Sequence, residues 1–193
     1  MKPTSQHLAI FTAATLVAAL SPVADACSRI LWNNNQLAVI AGRTMDWPES
    51  TMPILTVLPA GMDRNGGMAG PEQAVKDNPA KWTSKYGSLI TSVYGIGTAD
   101  GVNEKGLAGH MLYLKATDYG PRDAAKPGIQ AGLWLQYLLD QAADVKEALA
   151  LLEEVQIVMV AAHGHDRLTE HRDGLGDREP PVHGQDLAVV QDG

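Results

Sequence analysis

The apolar residues of this chain change their spacing once, near residue 129, and that change limits the folds open to it. Before it, short β-forming runs alternate with turn residues; after it, leucines recur at helical spacing. "SRILW" and "LAVIAGR" flank Asn33-Asn34-Asn35 and predict a hairpin. Residues 54–58 and 84–95 predict two more strands. Asp100-Gly101 predicts a turn into a further strand, "NEKGLAGHMLYL", ending near Leu114. Gly66-Gly67, Gly70-Pro71 and Asn78-Pro79 predict a loop over 60–80, and 117–128 reads as another. Residues 129–142 have the apolar density of a packed helix through Leu133, Leu135, Leu138 and Leu139. Asp144 and Glu147 predict a capping box on a second helix over 145–155, with Ala148, Leu149, Leu151 and Leu152 on its buried side. A last strand is predicted over 155–160. Strands followed by helices and then a strand specify an α+β chain, a sheet covered by helices.

Ahead of this pattern lies a different segment. Lys2 is followed by the uncharged run "LAIFTAATLVAAL", then Ser21-Pro22 and Ala24-Asp25-Ala26. A basic start, an apolar stretch too short to span a bilayer and a small-x-small site predict a signal peptide over 1–26. The expected location is the periplasm or the medium, with no membrane attachment after cleavage and a mature chain starting at Cys27. The net charge of −7 is unaffected, because Lys2 and Asp25 leave together. An acidic chain with few basic runs argues against nucleic acid as a partner. At the other end, residues 163–193 are dominated by charge, Gly and Pro, with Leu168, Leu175 and Val182 as isolated aliphatics up to residue 185. That composition predicts a divergent, disordered tail.

Cys27 is the only cysteine, so no disulfide forms within one chain. Three readings follow from the residues alone. The thiol is buried and inert, as free cysteines often are. It is a lipid attachment point, although Asp25 is a poor fit to that signal. Or it is chemical: cleavage after Ala26 places a thiol and an α-amine on one residue. An N-terminal amine titrates near neutral pH and serves as a base for a side-chain nucleophile. Such a residue needs no distant histidine, and the six histidines here form no catalytic pattern. His163-Gly164-His165 lacks a third ligand, so neither a metal nor a cofactor is expected.

"CSRILW", "GRTMDW", "WTSKYGSL" and "DGVNEKGLAGHMLYL", with Arg43 sixteen residues after Cys27, resemble the choloylglycine hydrolase and penicillin V acylase family, in its Gram-negative form. The resemblance implies an N-terminal-nucleophile (Ntn) hydrolase with a four-layer αββα sandwich, present here as an incomplete N-terminal portion over 27–162. It implies hydrolysis of linear N-acyl amides, in penicillin V, bile salts or acyl homoserine lactones. It makes Cys27 the nucleophile, with Arg43 and Asp46 from "RTMD" beside it. A guanidinium near a thiol favours thiolate, and a carboxylate near an α-amine stabilises its charged form. It places the Tyr113 backbone N–H in an oxyanion hole and makes Trp47 an apolar wall for the acyl group, with Trp32 and Trp82 left to packing. The partner would be a small-molecule N-acyl amide, and tetrameric relatives imply a homo-oligomer. The likeness stops near His165. The family's later oxyanion-hole Asn and second Arg have no counterpart, and residues after Ala162 read as a shifted frame or gene remnant. An inactive fragment, or a lipid-anchored binding protein, is the alternative.

Overall fold

A computed structural model describes residues 27–114, 117–159 and 184–190. The chain opens with a hairpin of β1 (Arg29–Trp32) and β2 (Ile40–Arg43), paired from Arg29↔Arg43 to Trp32↔Ile40. Asn35 organises the turn, its side-chain oxygen accepting from the N–H groups of Leu37 and Ala38 at 2.9 Å each. β3 (Ile54–Leu58) follows, and it forms over the predicted residues.

The predicted loop over 60–80 carries short ladders. β4 (Asp63–Asn65), β5 (Met68–Ala69) and β6 (Glu72–Gln73) lie there. β5 pairs with β6, and β4 with β7 (Lys81–Thr83). Gly67 sits where a Cβ would meet Gln73 Nε2 at 2.4 Å and Pro79 Cβ at 2.7 Å, so the glycine is there for close packing.

β8 (Ser88–Val93), β9 (Gly97–Asn103) and β10 (Ala108–Leu114) form a meander, joined to β3 on one side and β13 (Gly184–Val190) on the other. The sheet order is β13-β10-β9-β8-β3, all neighbours antiparallel. Two expectations are corrected here. Asp100-Gly101 is not a turn but lies within β9, and the turn is at 104–106 with Gly106 at φ 82°. Gly101 is required because a Cβ would come within 2.6 Å of Leu139 Cδ1 and 2.9 Å of Ile90 Cγ2. The disordered tail also fails for 184–190, which pair along the whole of β10 from Ala108↔Val190 to Leu114↔Gly184. The signal peptide, His163 and His165 lie outside the described residues.

β11 (Gly128–Gln130) pairs in parallel with β12 (Gln156–Val158). Between them run a 3₁₀ turn (Ala131–Leu133), α1 (Trp134–Gln141) and α2 (Val145–Glu154). The predicted helix over 129–142 therefore begins at 134. Gln130 accepts from the Gly132 N–H at 2.7 Å and holds the chain extended before the turn. The predicted cap on α2 is present: Asp144 Oδ1 accepts from the Glu147 N–H, and Glu147 Oε2 accepts from the Ala143 N–H, both at 2.8 Å. Ala148 is buried and Leu151 and Leu152 pack against the core, but Leu149 faces out.

The core lies between α1 and one face of the sheet, where Leu135, Leu138 and Leu139 meet Ile90, Leu107 and Met111. Asn103 is buried at the centre of this layer. Its Nδ2 donates to the carbonyls of Leu139 and Ala142, and its Oδ1 accepts from the N–H groups of Lys105 and Leu107. Asp140 is also fully buried, accepting from Trp82 Nε1 (2.7 Å), Gln136 Nε2 (2.7 Å) and Arg64 Nε (3.2 Å). Trp82 also stacks edge-on against Tyr137, so the packing role expected of it holds; Trp32 is instead exposed. The opposite face of the sheet carries two cross-strand rows, Leu55–Thr91–Asp100–His110 and Val57–Leu89–Val102–Ala108. Leu55 and Val57 on that face are 74% and 76% exposed.

Candidate active site

The corner around Cys27 is fixed by backbone pairing. Beyond the end of the β1–β2 ladder, the Thr44 N–H donates to the Ser28 carbonyl at 2.9 Å, and the Ser28 N–H donates to Thr44 Oγ1 at 3.0 Å. These two bonds pin the residue after Cys27 to the segment that carries Arg43, Thr44 and Asp46. Thr44 Oγ1 in turn donates to Asp46 Oδ2 at 3.4 Å. Cys27 is a free, half-buried thiol, and Asp46 is exposed.

Arg43 leaves the hairpin and lies on the outer face of the sheet. Its side chain is 9% exposed. Nε stands 3.4 Å from Asp100 Oδ1, and Nη2 donates to the Met111 carbonyl. The same Asp100 oxygen accepts from His110 Nδ1 at 2.9 Å. A carboxylate only accepts, so the imidazole carries its proton on Nδ1. Holding a guanidinium away from water is costly unless it is paired, and Asp100 and the carbonyl supply that pairing. Asp100 and His110 were not anticipated. Asp100 was masked by its turn-like Asp-Gly sequence; an isolated His in the apolar string "LAGHMLYL" was the available signal.

A cavity of about 360 Å³ adjoins Arg43 and Asp100 and is lined further by Met45, Trp47, Glu49, Pro53, Thr91 and Val93 among others. Its size suits a small organic group. Trp47 meets Tyr113 edge to face with ring centroids 5.3 Å apart, so these two predicted residues are brought together. Trp47 Nε1 donates to Tyr94 Oη at 2.7 Å, and Tyr94 donates on to Glu49 Oε1 at 2.9 Å. Burial, then the bond to Glu49, pushes the Tyr94 phenol above its ordinary value of 10.0. Tyr94 adopts φ 54° ahead of Gly95 at φ 67°, two left-handed residues in the β8–β9 turn. A left-handed non-glycine residue costs about 1–3 kcal/mol and tends to cluster at functional sites. A second cavity, about 400 Å³ and lined by Arg64, Trp82 and Gln136 among others, opens on the helix side, away from the thiol.

Comparison with known proteins gives the family. Residues 27–171 match the family of linear amide C–N hydrolases, choloylglycine hydrolase family. A penicillin V acylase of Pectobacterium atrosepticum is 36% identical over 168 residues, covering 81% of this chain and 43% of that protein. The solved penicillin V acylase from Agrobacterium tumefaciens superposes with TM-score 0.59 at 42% identity, over 67% of this chain and 39% of that one. A mutant conjugated bile acid hydrolase from Clostridium perfringens shares the fold, with TM-score 0.55 at 24% identity, over 69% of this chain and 39% of its own. The chain thus spans well under half the length of these relatives. The sheet and its helices correspond to part of the four-layer αββα Ntn-hydrolase sandwich. This protein belongs to the choloylglycine hydrolase family of linear amide C–N hydrolases.

Proposed function

We propose that this chain, freed of residues 1–26, is an exported amidase whose N-terminal Cys27 cleaves linear N-acyl amides of the penicillin V type. The observation that supports the reading is the Ser28–Thr44 lock, which joins the residue after Cys27 to the segment carrying Arg43 and Asp46, and Arg43 and Trp47 line the cavity.

The chemistry follows from the groups present. The Cys27 α-amine takes the thiol proton, and sulfur attacks the acyl carbon. Arg43 favours the thiolate and Asp46 the ammonium. Charge on the former carbonyl oxygen is met by the Tyr113 N–H. Collapse breaks the C–N bond, and the ammonium proton leaves with the amine. A water, deprotonated by the same amine, attacks the thioester, releasing the acid and returning the proton to sulfur. Trp47 provides an apolar wall for an aromatic acyl group, and its link to Tyr94 and Glu49 fixes the ring.

The test is release of amine from penicillin V, glycocholate and an acyl homoserine lactone, with mass analysis of the mature N-terminus. A free Cys27 and turnover lost in Cys27→Ala support the reading. A diacylglyceryl group on Cys27 would leave no amine base and contradict it. A second reading, a catalytically silent fragment, is favoured by the uncovered apolar face carrying Leu55 and Val57. It predicts no turnover from the 193 residues even with a free Cys27.

A further inference from the structure

We infer that Asp100 and His110 are positioning residues for Arg43, a pair that aims the guanidinium within the amidase site proposed above. The inference rests on that reading for its kinetic consequence, though not for its geometry. His110 and Asp100 are directly opposed across β10 and β9, on a sheet face whose neighbouring row is Val57, Leu89, Val102 and Ala108. The row is exposed at Val57, Leu89 and Val102, but the polar side chains beside it are withdrawn from water, Arg43 at 9%, His110 at 12% and Asp100 at 23% exposed, and such groups need partners. Here one carboxylate oxygen serves both partners, His110 Nδ1 at 2.9 Å and Arg43 Nε at 3.4 Å.

The arrangement has a direction. His110, 12% exposed, approaches Asp100 along the sheet. Asp100 thereby faces Arg43 with a fixed oxygen, and the Met111 carbonyl, one residue from His110, holds Nη2. Nη2 is thus hydrogen-bonded, while Nε is held by charge alone, without a hydrogen bond to Asp100. Nη1 is buried and has no hydrogen-bond partner among the described residues. It is the free end of a guanidinium held from behind, and Arg43 lines the cavity beside Asp100. A bond to a charged group that is lost from behind would let this end wander, and small misplacements at a reacting centre are costly in rate.

The experiment uses the full chain carrying His110→Leu, His110→Asn and Asp100→Asn, each also combined with Arg43→Gln. Asn places an amide donor near the position of Nδ1. With penicillin V as substrate, His110→Leu should lower kcat about tenfold or more while KM stays within about twofold. His110→Asn should recover most of that loss. In the Arg43→Gln background neither His110→Leu nor Asp100→Asn should lower kcat further, because the group they position is gone. An independent readout is the Arg43 Nε–H resonance, assigned by its loss in Arg43→Lys. It should shift in His110→Leu and return towards wild type in His110→Asn. Wild-type inactivity with this shift present would remove the proposed function and leave the positioning role standing. An unmoved resonance, losses that add to that of Arg43→Gln, or a change confined to KM would overturn it. Should His110→Leu fail to fold, the near-isosteric Asp100→Asn carries the same test.

Discussion

Single residues decide where the two halves of this layer meet. Asn103 satisfies four backbone groups at once, two at the end of α1 and two in the β9–β10 turn. Asn103→Ala leaves buried donors and acceptors unpaired, and urea unfolding should show a loss of about 2–4 kcal/mol. Gly101→Ala inserts a methyl against Leu139 and Ile90 and should cost about 1–3 kcal/mol in the same assay. At this scale the sequence was readable where the signal is local. Cys27, Arg43, Asp46 and Trp47 share one hairpin end, so their spacing along the chain reflects their spacing in space. Asp100 and His110 were not readable, because their meaning arises only from the register between two strands and from an Arg on a third. Asp100-Gly101 even gave the wrong signal: its glycine answers to Leu139 packed above it, not to a reversal of the chain.

Among the elements, α1 ties the sheet to the β4–β7 ladder through Asp140 and Tyr137. Asp140 and Tyr137 on this helix both hold Trp82, one by a hydrogen bond and one edge to face. Burial pushes the Tyr137 phenol above its ordinary 10.0, and Glu154 on α2 adds to the push. The folded state therefore keeps this proton to higher pH than the unfolded chain. Its contribution is intact below about pH 10 and is lost as pH rises from there towards the folded value. Urea midpoints should fall through that range, and Tyr137→Phe should flatten the fall; an unchanged slope would contradict the assignment. α2 and its Asp144 cap were legible because capping is a three-residue signal. The start of α1 was not, because Gly128–Gln130 is held extended by β12, nearly thirty residues on. Helical spacing of leucines gave no hint of that parallel pairing.

On the scale of the whole molecule, the chain supplies a sheet with helices on one face and, on the other, exposed apolar side chains beside the Arg43–Asp100–His110 group. In the four-layer sandwich of its family the second face packs on another sheet. Leu55, Val57 and the hairpin residues Ile30 and Trp32 are all more than half exposed. A surface of this kind drives association. Size-exclusion chromatography of residues 27–193 should show concentration-dependent oligomers, and Leu55→Lys with Val57→Lys should shift them towards monomer with little change in unfolding midpoint. The class of the fold was legible because the order of strand and helix spacings survives any error in element bounds. Under the proposed function, Cys27 becomes acylated during turnover. Peptide mass analysis of the mature chain, quenched in acid during incubation with penicillin V, tests it most directly. A phenoxyacetyl group on an N-terminal peptide beginning at Cys27, absent in Cys27→Ser, is the predicted result. Amide hydrolysis that persists in Cys27→Ala, or an unmodified Cys27 while substrate is consumed, would contradict it.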